Sequence, residues 1–305
     1  MAIKIKKYNN VSWINIIKPN NDDLKYLKEN FKFHHLDYED VTGESQHSKI
    51  DIYPSYAFIV LRVPVTHKDS KLLSSHEVDI FLGKDFLITI QEKKIKILNE
   101  YFYKIANNKK LQNQIFQGKA ALLFYHVLEE MYGISIVVTD WLIKEINKVE
   151  KQVYDEQTKI AVKNLAIFRR NILNFKAIIE PQRFVIRTLV GLKNDYLSAE
   201  YENYFDDIAD YIERIYALIA TSKEIVKGLH ETNESLTTFR LNRTMKILTV
   251  FSVSMLPLTL LTGLYGMNLN SLPFIHNEQL VWYIFGALIL IIVGIFAFLK
   301  KKDII

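Results

Sequence analysis

The chain has 305 residues, no cysteine, and a net charge of +5 from 39 Lys and Arg against 34 Asp and Glu. Disulfides and cysteine-ligated zinc are therefore excluded. The positive surplus comes partly from basic residues beside two apolar segments, so it is not a nucleic-acid signal.

Lys4, Lys6 and Lys7 lead into a polar stretch rather than a long apolar one. No signal peptide is expected, and the amino-terminal part should stay in the cytosol. Val11 to Ile17, Tyr56 to Val65 and Val78 to Gln91 are rich in β-branched and aromatic residues and predict strands, the last broken by the turn signal Gly83-Lys84-Asp85. Asp22 to Phe33 predicts a short helix that Asn21 could cap. Together these make residues 1–115 a small α/β domain.

From Ala120 the pattern turns helical, with Ile134, Val138, Trp141, Leu142, Ile146 and Val149 at spacings of three and four. Pro181 is expected to kink or restart that region. Between Glu202 and Leu264 the helical period persists with few interruptions. Such a helix would be about 90 Å long. It should pack against copies of itself, which makes residues 116–242 the stalk of a homo-oligomer.

Ile247 to Leu264 and Leu280 to Leu299 carry no charged residue. Each approaches the roughly 20 residues needed to cross a hydrocarbon core of about 30 Å. Residues 243–305 are thus expected to form two transmembrane helices joined by an outer loop, 265–279. Arg240, Arg243 and Lys246 precede the first, Lys300, Lys301 and Lys302 follow the second, and the loop has neither Lys nor Arg. By the positive-inside rule the protein is a multi-pass cell-membrane protein with both termini cytoplasmic. The lysines at 300–302 would also anchor the second span at the lipid headgroups.

Asn242, Met245, Thr249, Ser252, Leu256, Thr259 and Gly263 alternate in steps of three and four, which places them on one helical stripe. Bundled helices could line a passage with that stripe. The same residue types could instead serve close helix packing. No phosphate-binding loop, dinucleotide fingerprint, metalloprotease helix or nucleophile motif is present, so an enzyme is not expected. His34 and His35 have no partner at metal-ligand spacing and are read as structural.

The stretches Asn242-Arg243-Thr244-Met245-Lys246-Ile247-Leu248-Thr249, Pro257-Leu258-Thr259 and Tyr265-Gly266-Met267-Asn268 resemble the membrane segment of the CorA family of magnesium and cobalt channels. That resemblance implies a funnel-shaped homopentamer in the bilayer, with each first span lining a central pore. Gly266, Met267 and Asn268 would form the outer selectivity ring. Thr259 and Asn242 would be polar stations, and Met245 and Leu256 apolar necks that close by dewetting. Mg²⁺ is the implied cargo, with Co²⁺ or Ni²⁺ as further candidates.

The resemblance also implies regulation by cytosolic Mg²⁺ bridging Asp40 of one subunit and Asp207 of the next. Asp210, Glu224 and Glu231 are candidate secondary sites, with a solvated acidic face as the alternative. Lys300, Lys301 and Lys302 would form a basic collar near the cytosolic mouth. The outer loop departs from the family pattern, because Leu269-Asn270-Ser271-Leu272-Pro273-Phe274 lacks the usual acids and only Glu278 and His276 stand nearby. A zinc route, efflux, and a pore-less membrane-anchored sensor are the rival readings.

Overall fold

A computed structural model describes residues 3–43, 47–67, 70–116, 119–155, 159–267 and 278–301. It divides into two compact units, Met1–His230 and Glu231–Ile305.

In the first unit β1 (Ile3–Tyr8) and β2 (Val11–Ile17) form an antiparallel hairpin whose turn holds Asn9 at φ 49°. Asn tolerates that left-handed position better than most residues do. The chain continues through α1 (Asn21–Asn30), α2 (His35–Thr42), β3 (Lys49–Ile52), β4 (Tyr56–Thr66), β5 (Leu73–Gly83) and β6 (Phe86–Gln91). The six strands form one sheet in the order β1-β2-β6-β5-β4-β3, in which β2 and β6 are parallel and every other pair is antiparallel.

The cap of α1 is Asn20, one residue before the expected Asn21. The Asn20 side chain accepts from the Asp23 N–H at 2.9 Å, while Asp23 Oδ2 accepts from the Asn20 N–H at 3.1 Å. This reciprocal capping box fixes the helix start. The helix ends at Asn30 rather than Phe33 because the next residues turn extended and lay their rings on the sheet. Phe31 meets Phe86 at 4.9 Å and Phe33 stacks on Phe81 at 4.1 Å between centroids.

Strand alternation sorts the apolar residues between two faces. Ile14, Phe58, Val60, Phe81 and Ile90 face α1 and α2 together with Leu27 and Val41. Trp13, Ile59, Leu61, Ile80 and Leu87 lie on the other face, in a core shared with α3 (Lys96–Ala106), α4 (Lys109–Ile115), α5 (Ala120–Asp155) and α6 (Lys159–Gly191). That core continues through Phe124, Phe168 and Phe205 to Leu229. The expected boundary at 115/116 therefore falls inside one continuous core.

One buried polar network ties β2 and β6 to α3. Trp13 Nε1 donates to Thr89 Oγ1 at 3.1 Å, and Thr89 and Gln91 both donate to Asn15 Oδ1, at 3.0 and 2.7 Å. Asn15 Nδ2 donates to Asn99 Oδ1 at 3.2 Å, and Asn99 Nδ2 donates to Gln91 Oε1 at 3.0 Å. Closed on itself, the network satisfies polar groups that would otherwise be costly to bury. Asp79 is different. It is buried on the α1/α2 face, and among the described residues its Oδ1 finds no hydrogen-bond partner. Burial, with Glu77 and Asp40 adding to it, holds its carboxyl well above the usual carboxylate range.

Pro181 lies inside α6, so the helix does not restart there. Ile178, Ile179, Val185 and Ile186 are buried on both sides of it, and Gln182 Nε2 donates to the Ile178 and Arg62 carbonyls at 2.8 Å each. Packing outweighs the one backbone bond that proline forgoes.

α7 (Glu202–Tyr265) is a single helix of 64 residues. Its first part belongs to the first unit, where Phe205, Ile208, Ile212, Ile215, Ile219, Val226 and Leu229 are buried at helical spacing. Arg183 of α6 grips Glu213 with two hydrogen bonds of 3.0 and 2.8 Å. The second unit contains the remainder of α7 and α8 (Glu278–Lys301). There the large apolar side chains point outward, including Leu248, Val253, Leu260, Leu290 and Ile291. The most apolar window of α7 is 6% buried and that of α8 is 0% buried, against 50% for the apolar window of α5. So much exposed apolar surface calls for lipid or another chain to cover it.

Candidate ion pathway and metal centre

All seven stripe residues lie on α7 and are exposed, with Met245 at 56% and Leu256 at 65%. At about 100° per residue they fall within an arc of about 100°. The stripe alternates amide, hydroxyl and small residues with two apolar ones. Thr259 Oγ1 donates to the Met255 carbonyl at 3.0 Å, and Thr262 Oγ1 donates to the Leu258 and Thr259 carbonyls at 3.0 Å. With its proton committed to the helix, the Thr259 hydroxyl keeps lone pairs that can accept from the water of a hydrated cation. Pro257 has no N–H to donate to the Val253 carbonyl one turn earlier.

After Tyr265 the backbone tightens. The Gly266 N–H donates to the Thr262 carbonyl at 2.9 Å and the Met267 N–H to the Leu264 carbonyl at 3.3 Å. A Cβ added at Gly266 would lie 2.8 Å from the Thr262 carbonyl oxygen, so the helix's own backbone requires glycine there. A Cβ at Gly263 would meet nothing within 4 Å. Among the described residues nothing demands glycine at 263. Asn268, the loop residues 269–277 with His276, and Lys302 lie outside the described residues, while Lys300 and Lys301 close α8.

Asp40 sits on α2, whose start is capped by His34 Nδ1 accepting from the Leu36 N–H at 3.4 Å. His34 also stacks on Tyr53, with centroids 5.7 Å apart. Tyr56 supports the same turn, accepting from the His34 N–H at 2.7 Å and donating to the buried Asp37 at 2.6 Å. Tyr53 donates to the other Asp37 oxygen at 2.9 Å. Burial and that bond to Asp37 push the Tyr53 hydroxyl up to about 12.

Asp37, Asp40 and Asp51 form a group whose carboxylate oxygens lie within 4.8 Å of one another. Lys49 is seated among them, with its Nζ 2.7 Å from Asp40 Oδ2 and 2.7 Å from Asp51 Oδ2. Burial works against the charge on Lys49. The bonds to Asp40 and Asp51 outweigh it and push the ammonium up to about 12. The Asp40 donor set has the hard oxygen chemistry that Mg²⁺ requires, but one of its oxygens is held by an internal cation.

Asp207 lies on an exposed face of α7, where Tyr125 OH reaches it at 3.4 Å. Burial, with Glu129 and Asp207 adding to it, pushes the Tyr125 hydroxyl up to about 12. Asp210, Glu224 and Glu231 are also exposed along α7. Among the described residues Asp207 does not join Asp40 in a carboxylate group within one chain. The sequence reading missed Asp37, Lys49 and Asp51. Their spacings carried a signal, since residues 37 and 40 share one helix face and residues 49 and 51 one strand face.

Residues 8–301 match the family described as CorA-like Mg2+ transporter protein. The chain is 27% identical over 297 residues to the cobalt/magnesium transport protein CorA of Thermotoga maritima, covering 95% of this chain and 82% of that one. It is 21% identical over 270 residues to the zinc transport protein ZntB of Cronobacter sakazakii, covering 86% of this chain and 78% of that one. The complete structure of the CorA magnesium transporter from Methanocaldococcus jannaschii superposes with a TM-score of 0.81 at 21% identity, covering 96% of this chain and 92% of that one.

Proposed function

The chain belongs to the CorA-like Mg2+ transporter family, and from that premise we propose that it conducts Mg²⁺ into the cell through a pore lined by α7. The exposed stripe from Asn242 to Gly263 carries this reading, because it offers oxygen acceptors and no fixed charge. A permanently charged deep site would hold a divalent ion too tightly to release it. Mg²⁺ sheds its water reluctantly, so uncharged oxygens that hydrogen-bond the hydrated ion suit it better than ligands that must displace that water. Two spans with both termini cytoplasmic, a homopentamer, and the outer ring of Gly266, Met267 and Asn268 complete the proposal. Co²⁺ and Ni²⁺ are further candidate cargo.

The membrane potential drives entry. A divalent ion gains roughly 4.6 kcal/mol per 100 mV, at about 2.3 kcal/mol per charge. Cytosolic Mg²⁺ regulates conduction by bridging Asp40 and Asp207 of adjacent subunits, with Asp210, Glu224 and Glu231 as secondary sites. Facing carboxylates repel, and a bound divalent ion reverses the sign of that interaction.

Mg²⁺ entry into proteoliposomes at an inside-negative potential tests the pathway, read with an enclosed indicator and compared with Asn268→Ala. Entry that is abolished in the variant is the expected result. Equal entry in both removes the outer ring. No entry by a folded oligomer refutes Mg²⁺ conduction, and a zinc arm then tests the reading favoured by the likeness to the ZntB protein. Exchanging both Asp40 and Asp207 for Lys should change inhibition by internal Mg²⁺, and unaltered inhibition would remove the regulatory site.

A further inference from the structure

The three carboxylates around Asp40 would, by themselves, be an ordinary acidic face. They become informative because a cation already sits among them. Lys49 Nζ is 2.7 Å from Asp40 and 2.7 Å from Asp51, the spacing of charge-assisted hydrogen bonds. Asp37 is committed elsewhere, with both oxygens accepting from the hydroxyls of Tyr53 and Tyr56. Of the three, Asp40 and Asp51 share the ammonium.

The surroundings fix Lys49 in this position. It opens β3 and pairs with Val60 of the neighbouring strand, while Asp51 follows two residues later on the same sheet face. Its ammonium lies 5.4 Å from the centroid of the Phe58 ring, which favours a cation there. Asp40 approaches from α2 above that face. The strand thus delivers a tethered monovalent cation to the carboxylate assigned above to regulatory Mg²⁺.

We propose that Lys49 is a built-in competitor of the regulatory divalent ion, setting how much cytosolic Mg²⁺ is needed to engage Asp40. This inference rests on the regulatory reading of Asp40 and adds its threshold. For Mg²⁺ to bridge Asp40 to a neighbouring subunit, the ammonium must yield an oxygen or remain nearby and repel the incoming ion. Either course weakens binding. A site that must respond only to abundant ion needs such a penalty, whereas an undiluted carboxylate pair would saturate at lower concentration.

The test is a Mg²⁺ titration of the purified full-length chain in detergent micelles, followed by its thermal unfolding midpoint. Lys49→Met keeps the alkyl stem and removes the charge, and the side chain is 37% exposed, so the fold should tolerate it. The expected result is a half-maximal Mg²⁺ concentration lower than that of the parent by on the order of tenfold, the effect of deleting one charge beside a divalent ion in a well-hydrated setting. Lys49→Arg, which keeps a cation, should leave the half-maximal Mg²⁺ concentration near the parent value. Adding Asp40→Asn to Lys49→Met should abolish the gain.

An unchanged or higher half-maximal Mg²⁺ concentration in Lys49→Met overturns the proposal. Asp40→Asn alone separates the two levels of the argument. If it weakens the Mg²⁺ response while Lys49→Met does not strengthen it, only the competitor role falls. If Asp40→Asn leaves the response untouched, the regulatory reading of Asp40 falls and takes the competitor role with it.

Discussion

α5 and the outer part of α7 both contain windows apolar enough to cross a bilayer, yet half of the α5 window is buried in the protein and only 6% of the α7 window is. In α5 the apolar residues are interrupted by Glu129, Glu130, Asp140 and Lys144, which give the helix a side for water. The run Ile247–Leu264 has no charged interruption; Thr249, Ser252 and Thr259 lie on the stripe, and Ser254 and Thr262 are its polar residues elsewhere. Mean apolarity is therefore a poor guide to destination. The placement of the exceptions decides whether a helix faces a protein core or lipid.

Five substitutions would break or sharpen that contrast. Phe124 of α5 is fully buried, and Phe124→Ala should destabilise the first unit by about 3–5 kcal/mol through lost transfer energy and a cavity. A denaturant melt of the full chain in detergent measures it, and a loss below about 1 kcal/mol would mean that α5 is not the core helix described. Asn15→Ala comes next at about 1–3 kcal/mol, because Thr89, Gln91 and Asn99 would each lose a buried partner. Thr262→Ala is its counterpart in the second unit, where among the described residues the hydroxyl bonds only its own helix, and a loss equal to that of Asn15→Ala would contradict the difference between the two settings.

Asp79→Asn should act in the opposite direction. The unfolded carboxyl ionises near pH 4, whereas burial keeps the folded one protonated to higher pH. The native state thus holds a proton that the unfolded state has lost, and stability falls as pH rises from about 4 toward the raised folded value. The variant should match the parent near pH 4 and exceed it by a margin that grows toward pH 8. Unfolding midpoints across that range decide it, and a constant difference would assign Asp79 a purely steric role. The smallest effect is expected for Leu290→Ala in α8, where the side chain is 74% exposed. A change within about 0.5 kcal/mol would fit a lipid-facing position, and a loss comparable to that of Phe124→Ala would mean that protein packs there.

The sequence made β2, β4 and the β5–β6 pair legible because these strands lie inside the sheet and are apolar or cleanly alternating. It missed β1 and β3 for a related reason, since both are edge strands. β1 alternates Ile with Lys and β3 is four residues long, the short and charged character by which edges avoid pairing with other chains. α2 was missed because eight residues give too little periodicity. The stripe on α7 was readable, since spacing along one helix needs no tertiary knowledge. The Lys49–Asp40 contact was not, because it arises only when β3 is laid under α2.

The layout of the buried residues also bears on the order of events during synthesis. The sheet is complete at Gln91, and the last buried residue of the first unit is Leu229. Chains are made from the amino terminus, so every residue of that core leaves the ribosome before the apolar windows of α7 and α8. The first unit can close its core before the rest of the chain is complete, and insertion into lipid does not have to precede folding.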